Sequence, residues 1–248
     1  MNKKILLYLL VSLMSSATLP SASFASAECP TLRVAAAEIP YFVESAEKGE
    51  FVELIRSAAA RANLDLTIQV FPKKRALSLF QLGRVDALVP HSSAGKEVVS
   101  YKSLPILTKR DFVFVRKGTP VPASIKELEG LRIGLTRQYA YPKSLTSNKK
   151  VEFSRAPNSD RENIKMLSLG RLDGSIIEER SGLRAIMESG ASNIVYDKNH
   201  PINELLVWVL FSRNKCGQYF MEKINSEFNA MKLDGEWYSI KGISKPDS

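Results

Sequence analysis

An internal repeat constrains this chain more than any other feature. Leu82-Gly83-Arg84-Val85-Asp86-Ala87 and Leu169-Gly170-Arg171-Leu172-Asp173-Gly174 spell nearly the same phrase 87 residues apart, and each runs on into aliphatic residues. The match extends upstream, where Leu32-Arg33-Val34 opens one apolar run and Leu131-Arg132-Ile133 opens the other. A chain that builds one strand, helix and strand unit twice is most simply a two-lobed α/β protein with a cleft between its lobes. Each Gly-Arg-x-Asp also has a plain structural reading, a helix stop followed by a strand start.

Local patterns fill in the units. Leu32 to Ala37 reads as a buried strand, and Phe51 to Ala62 places Phe51, Leu54, Ile55, Ala58 and Ala62 on one helical face, with Asn63 suited to end the helix. Leu64 to Val70 alternates as a strand does, Pro72 starts a helix through Leu82, and Gly83 ends it before a strand over Val85 to Val89. In the second half, Ser124 with Glu127 and Ser159 with Glu162 have capping-box spacing. Strands are expected over Leu131 to Thr136, Leu172 to Ile177 and Asn193 to Tyr196, and a helix over Ser181 to Glu188. Asp111 to Arg116 and Leu205 to Ser212 flank the second copy as crossover strands. The last helix, with Phe220, Ile224, Phe228 and Met231 on one face, returns to the first lobe. The expected division is residues 28–114 with 208–248 as lobe one and 115–207 as an inserted lobe two.

The first 27 residues carry two charges, Lys3 and Lys4, then an apolar run from Ile5 to Met14 and small residues ending in Ala25-Ser26-Ala27. This pattern predicts a secretory signal cleaved after Ala27, because the apolar stretch is too short to span a bilayer. Cys29 invites a lipoprotein reading, but Glu28 stands where lipidation needs a small residue. The formal charge of +9 drops to +7 without Lys3 and Lys4. In an exported protein that excess suits steering of anionic solutes and does not call for nucleic acid. Cys29 and Cys216 are the only cysteines. Export predicts a disulfide between them, and the crossover topology brings both to the end of the sheet away from the cleft. Two buried, unpaired thiols are the alternative.

The order of these features resembles the extracytoplasmic solute-binding proteins of family 3, the polar amino-acid type that serve ABC importers. The resemblance rests on Ile39-Pro40-Tyr41-Phe42, Gly49 to Leu54, Leu82 to Asp86, Pro105, Leu128 to Gly134, Leu169 to Asp173 and Asp234-Gly235-Glu236-Trp237-Tyr238-Ser239-Ile240. It implies a type II periplasmic binding protein fold, each lobe a mixed, mainly parallel sheet flanked by helices, that closes as a monomer over a small polar solute, an amino acid or related compound. The implied partner is an ABC permease or a membrane receptor. One position departs from the family. Members that bind free amino acids carry Thr-x-x-Arg where this chain has Ser93-Ala94-Gly95-Lys96, and lysine lacks the planar fork that grips a carboxylate through two bonds. Pro72-Lys73-Lys74-Arg75-Ala76-Leu77 and Arg137-Gln138-Tyr139-Ala140-Tyr141 resemble a divergent branch.

Ligands of open α/β sheets sit beyond the carboxyl ends of the strands. Those ends supply Tyr41 and Phe42, then His91, Ser92, Ser93 and Lys96, then Arg137, Tyr139 and Tyr141, and finally Glu178 and Glu179. Arg75, at a helix start, joins them. Tyr41 or Phe42 would stack, Arg137 or Lys96 would hold an anionic group, and one of the two glutamates would accept from an ammonium. The plain alternatives are aromatics that cover a sheet edge and a solvated acidic helix start. No metal or cofactor is expected: H-E-x-x-H, G-x-x-x-x-G-K-S/T and G-x-S-x-G are all missing from the sequence. An enzyme is therefore not expected, although a dehydratase on this fold would use Glu178 or Glu179 as acid or base.

Overall fold

The computed structural model describes residues 29–137 and 139–242. The expected signal segment, residues 1–27, lies outside the described residues. The first unit runs β1 (Thr31–Ala37), α1 (Glu50–Arg61), β2 (Asp65–Phe71), α2 (Lys73–Gln81) and β3 (Ala87–Ser92). A short β4 (Ser100–Lys102) leads into the long β5 (Leu107–Arg116). The second unit follows: β6 (Arg132–Leu135), α3 (Lys143–Thr146), β7 (Glu152–Ser154), α4 (Asp160–Ser168), β8 (Gly174–Glu178), α5 (Glu179–Ser189) and β9 (Ile194–Tyr196). The chain returns through β10 (Asn203–Ser212) and ends in α6 (Lys215–Asp234) and α7 (Glu236–Lys241).

The repeat is visible in the sheet order β2-β1-β3-β10-β5-β8-β6-β7. Three parallel strands, β2-β1-β3, are edged by antiparallel β10, and three more, β7-β6-β8, are edged by antiparallel β5. The two long strands join the halves. Leu107–Asp111 of β5 pairs with Asn203–Val207 of β10, after which β5 continues along β8 and β10 along β3. The apolar clusters respect this division. On one face of the first half, Leu32, Val34, Phe51 and Leu54 pack against Phe220, Ile224, Phe228 and Met231 of α6, while Ala35, Phe80 and Leu88 fill the other face. Val113, Ile133 and Ile176 on one side and Phe112, Phe114, Ile164 and Leu167 on the other do the same for the second half.

The repeated motif does more than stop helices. Arg33 donates from Nε and Nη2 to the Asp86 carboxylate at 2.8 and 2.9 Å, and the Arg33 amide adds a third bond at 3.0 Å. Arg132 repeats the arrangement on Asp173 at 3.0, 2.9 and 2.9 Å. Each arginine fork thus ties the start of a central strand to the turn before the next. Gly83 and Gly170 take φ of 66° and 74° as helix stops.

Several expectations need correction. β3 starts at Ala87, not Val85, because Asp86 is occupied with Arg33. The Ser124 and Glu127 box closes only a 3-10 turn, Lys126–Leu128. Gly235 at φ 96° breaks the last helix before its end, separating α7 from α6. As expected, Cys29 and Cys216 form a disulfide, with Cα atoms 5.5 Å apart, tying the chain before β1 to the first turn of α6. Among the described residues no helix is long and apolar enough to cross a membrane.

Candidate functional site

A cavity of about 520 Å³ lies where the two halves face each other. Its floor is apolar: Ile39 and Phe42 after β1, Phe51 on α1, Leu77 on α2, Leu88 on β3 and Val207 on β10. Phe42 is stacked on Phe51 with ring centroids 4.7 Å apart, and Gly49 permits that approach. At φ 121° its Cα faces Phe42, and an added Cβ would lie 2.6 Å from the Phe42 carbonyl oxygen.

The polar groups stand at strand and helix ends. Lys73 and Lys74 come from the first turn of α2, His91 and Ser92 from the end of β3, Lys96 from the turn beyond it, and Lys109 from β5. The second half supplies Tyr139, Glu178 and Ser181. Burial, and then the charge of Lys109, draw the Lys73 ammonium below its ordinary range. Burial and then Lys73 likewise hold His91 below 6.5, against a hydrogen bond to the Lys96 backbone. Gly95 seats the imidazole, since a Cβ there would come within 2.7 Å of His91 Cε1. Lys109 is paired with the buried Asp111, itself held by Asn203 at 3.0 Å. Glu178 caps α5 by accepting from the Ser181 amide at 2.9 Å.

A second cavity of about 400 Å³ adjoins the first and shares Ile39, Lys73, Tyr139 and Ser181 with it. It adds Arg137, Arg161 and Arg184 against Glu38, Asp160 and Glu188. Asp160 is buried beside Thr136, with Tyr139 donating to it at 3.4 Å. Burial is the main cause that raises its pKa from 3.8 to about 6, against the Thr136 hydroxyl. An acid raised in the fold opposes folding once the unfolded chain ionises, so stability present below about pH 4 is lost as the pH climbs to about 6. Asp160→Asn should therefore gain on the parent by about 2–3 kcal/mol between pH 4 and pH 7.5. Urea unfolding at both values measures this, and a difference that does not move with pH would show an ordinary carboxyl.

Of the candidate residues, the larger cavity brings together Phe42, His91, Ser92, Lys96, Tyr139 and Glu178. The others are placed elsewhere. Tyr41 packs edge-on against Phe42 and lies under Arg180, whose guanidinium carbon is 5.0 Å from its ring centroid. Arg75 turns the opposite way from Lys73 and covers Phe71 at 5.3 Å. Ser93 is exposed, and its amide continues the backbone pairing toward Leu206. Arg137 reaches only the second cavity and donates to the carbonyls of Arg155 and Ala156, both at 3.1 Å. Tyr141 is buried, its hydroxyl taking the Thr136 amide at 3.0 Å. Glu179 points away and accepts from Tyr196 at 2.8 Å.

The reading from sequence missed Lys73 and Lys74 as lining groups, and also Lys109 and Asp160. It also missed two ion pairs across the halves, Arg180 of α5 to buried Glu50 on α1 and Arg184 of α5 to Glu44, and a third within the first half, Lys241 of α7 to Glu50 at 2.9 Å. Lys241 also donates to the Ile106 carbonyl at 2.8 Å. Burial works against the charge on Arg180, but Glu50 and Glu178 outweigh it and raise its pKa.

No family model matches the sequence, and no curated protein matches it. Solved structures do match. A histidine kinase sensor domain described as similar to periplasmic binding proteins superposes with a TM-score of 0.70 at 18% identity, covering 87% of this chain and 98% of that one. The ligand-binding core of GluR0 from Nostoc punctiforme, in complex with L-glutamate, gives 0.68 at 20% identity over 84% and 96%. An ancestral arginine-binding protein bound to arginine gives 0.65 at 18% over 85% and 96%. At such identities the likeness is one of architecture: this chain has the two-lobed type II periplasmic binding protein fold.

Proposed function

We propose that the chain is an extracytoplasmic solute-binding protein of the family 3 type, capturing one small organic solute, an amino acid or a related carboxylate, by closing two lobes over it. The observation that carries this reading is the main cavity, walled by both halves and spanned by their only paired strands among the described residues, β5 and β10. The two lobes would hinge where Leu107–Asp111 pairs with Asn203–Val207, so the bound expected at residue 114 is drawn back to that pairing, because Phe112, Val113 and Phe114 already pack in the second half. Solved structures of like fold that hold glutamate and arginine support a solute of amino-acid size. Export would come first, with cleavage after Ala27, and an intact mass beginning at Glu28 is the expected result in the periplasm. The closed form would then dock on an ABC permease or a membrane receptor.

A thermal-shift screen over amino acids, organic acids, polyamines, small peptides and sugars tests the reading. A ligand at 100 times its Kd stabilises the native state by about 2.7 kcal/mol. A true hit should also shrink the radius of gyration in X-ray scattering. If a hit shifts the parent and a Leu77→Asp, Lys73→Ala double variant equally, the site lies elsewhere. Slow conversion of the hit into a product, abolished by Glu178→Gln, would instead make this an enzyme.

A further inference from the structure

The charges of the main cavity are lopsided. Lys73, Lys74, Lys96 and Lys109 line it against one carboxylate, Glu178. Lys109 is already paired with Asp111, and Glu178 is already spoken for, with one oxygen on the Ser181 amide at 2.9 Å and the other 3.6 Å from Arg180 Nε. Lys73, Lys74 and Lys96 form no ion pair among the described residues, and Lys73 is half-buried. Two lysines in the first turn of α2 also stand at the positive end of a helix dipole, where acids are favoured and α2 has none. Their placement opposes the stability of the helix, and an anion bound beside Lys73 would reverse the sign of that interaction. Below them the walls are apolar, with Phe42, Leu77, Leu88 and Val207 forming a floor that rewards a hydrocarbon body.

Resting on the receptor reading above, we propose that the cavity takes an amphipathic organic anion: a carboxylate on an apolar, ring-sized or medium-chain body, without an α-ammonium group. The carboxylate meets Lys73 and Lys96, and the body lies on Phe42 and Leu88. An amino acid would place its ammonium among lysines, with no free carboxylate in this cavity to accept it.

Two triads of equal body and different charge test this by calorimetry on the exported chain: 3-phenylpropanoate, phenylalanine and phenethylamine, then hexanoate, norleucine and hexylamine. In at least one triad the acid should bind about tenfold tighter than the zwitterion or better, and the amine should show no binding at about 10 mM. Lys73→Met and Lys96→Met should each weaken the acid roughly tenfold, the loss of one charge-assisted bond. Lys73→Met should leave the melting temperature of the unliganded protein unchanged or higher, because it removes a half-buried cation, so weakened binding would not come from misfolding. The proposal is overturned if in neither triad the acid outbinds its zwitterion, if neither acid binds at about 10 mM, or if the lysine variants bind the acid like the parent. An amino acid or other solute that binds in place of the acids, and is lost with Leu77→Asp at the half-buried cavity wall, overturns this proposal while leaving the receptor reading intact.

Discussion

Replacing Cys29 and Cys216 together with serine should lower stability by about 4–5 kcal/mol. The bridge closes a loop of 187 residues, which includes both repeats and both crossover strands, so in the chain-entropy account its loss releases a large denatured ensemble. For a chain of this size that corresponds to a fall in melting temperature of roughly 10 °C or more. Urea unfolding of parent and variant with and without reductant measures it. The parent should become as weak as the variant when reduced, and the variant should not respond. Two reactive thiols in denatured, unreduced parent would rule the bridge out.

Glu50→Leu should cost about 3–5 kcal/mol, for a different reason. The carboxylate is buried between Lys241 and Arg180, and Lys241 is nearly as buried as Glu50 itself. Removing the shared acid leaves Lys241 as an uncompensated charge in a medium that solvates it poorly. Arg180→Met is the informative companion. It leaves the Glu50 and Lys241 pair intact but removes a link from α5 to the first half, so its expected effect is a larger radius of gyration without ligand and a smaller loss of stability. Glu50→Leu unfolding within about 1 kcal/mol of the parent would show that Lys241 finds water or another partner.

Much of the element order is legible because local chemistry writes it. Ser159 accepts from the Glu162 amide at 3.1 Å and starts α4 as its spacing implies. Gly83 and Gly170 end their helices, and the face of Phe220, Ile224, Phe228 and Met231 packs as its period requires. β4, α3 and β7 escape notice because three or four residues show no period and, unlike the equally short β6 and β9, these carry only one apolar or aromatic residue each.

The site is less legible, since direction matters there as much as position. Glu178 ends β8 as the cap of α5 and Glu179 is the first residue of that helix, so the two side chains leave the chain in different directions. One therefore enters the cavity and the other meets Tyr196, but only the packed sheet says which. Within Lys73-Lys74-Arg75 each step turns about 100° around the helix, which sends the two lysines inward and Arg75 onto Phe71.

The sequence alone determined the repeat, the two-lobed architecture, the capping of α4 and the pair of cysteines, because each depends on residues close in the chain or on a pattern copied twice within it. Tertiary structure alone decided that Asp86 and Asp173 receive arginine forks 53 and 41 residues away, that Glu50 gathers Lys241 and Arg180 from 191 and 130 residues away, and that three unpaired lysines share one apolar cavity. Those contacts join segments with no common local pattern, and only the folding of the sheet sets their distances.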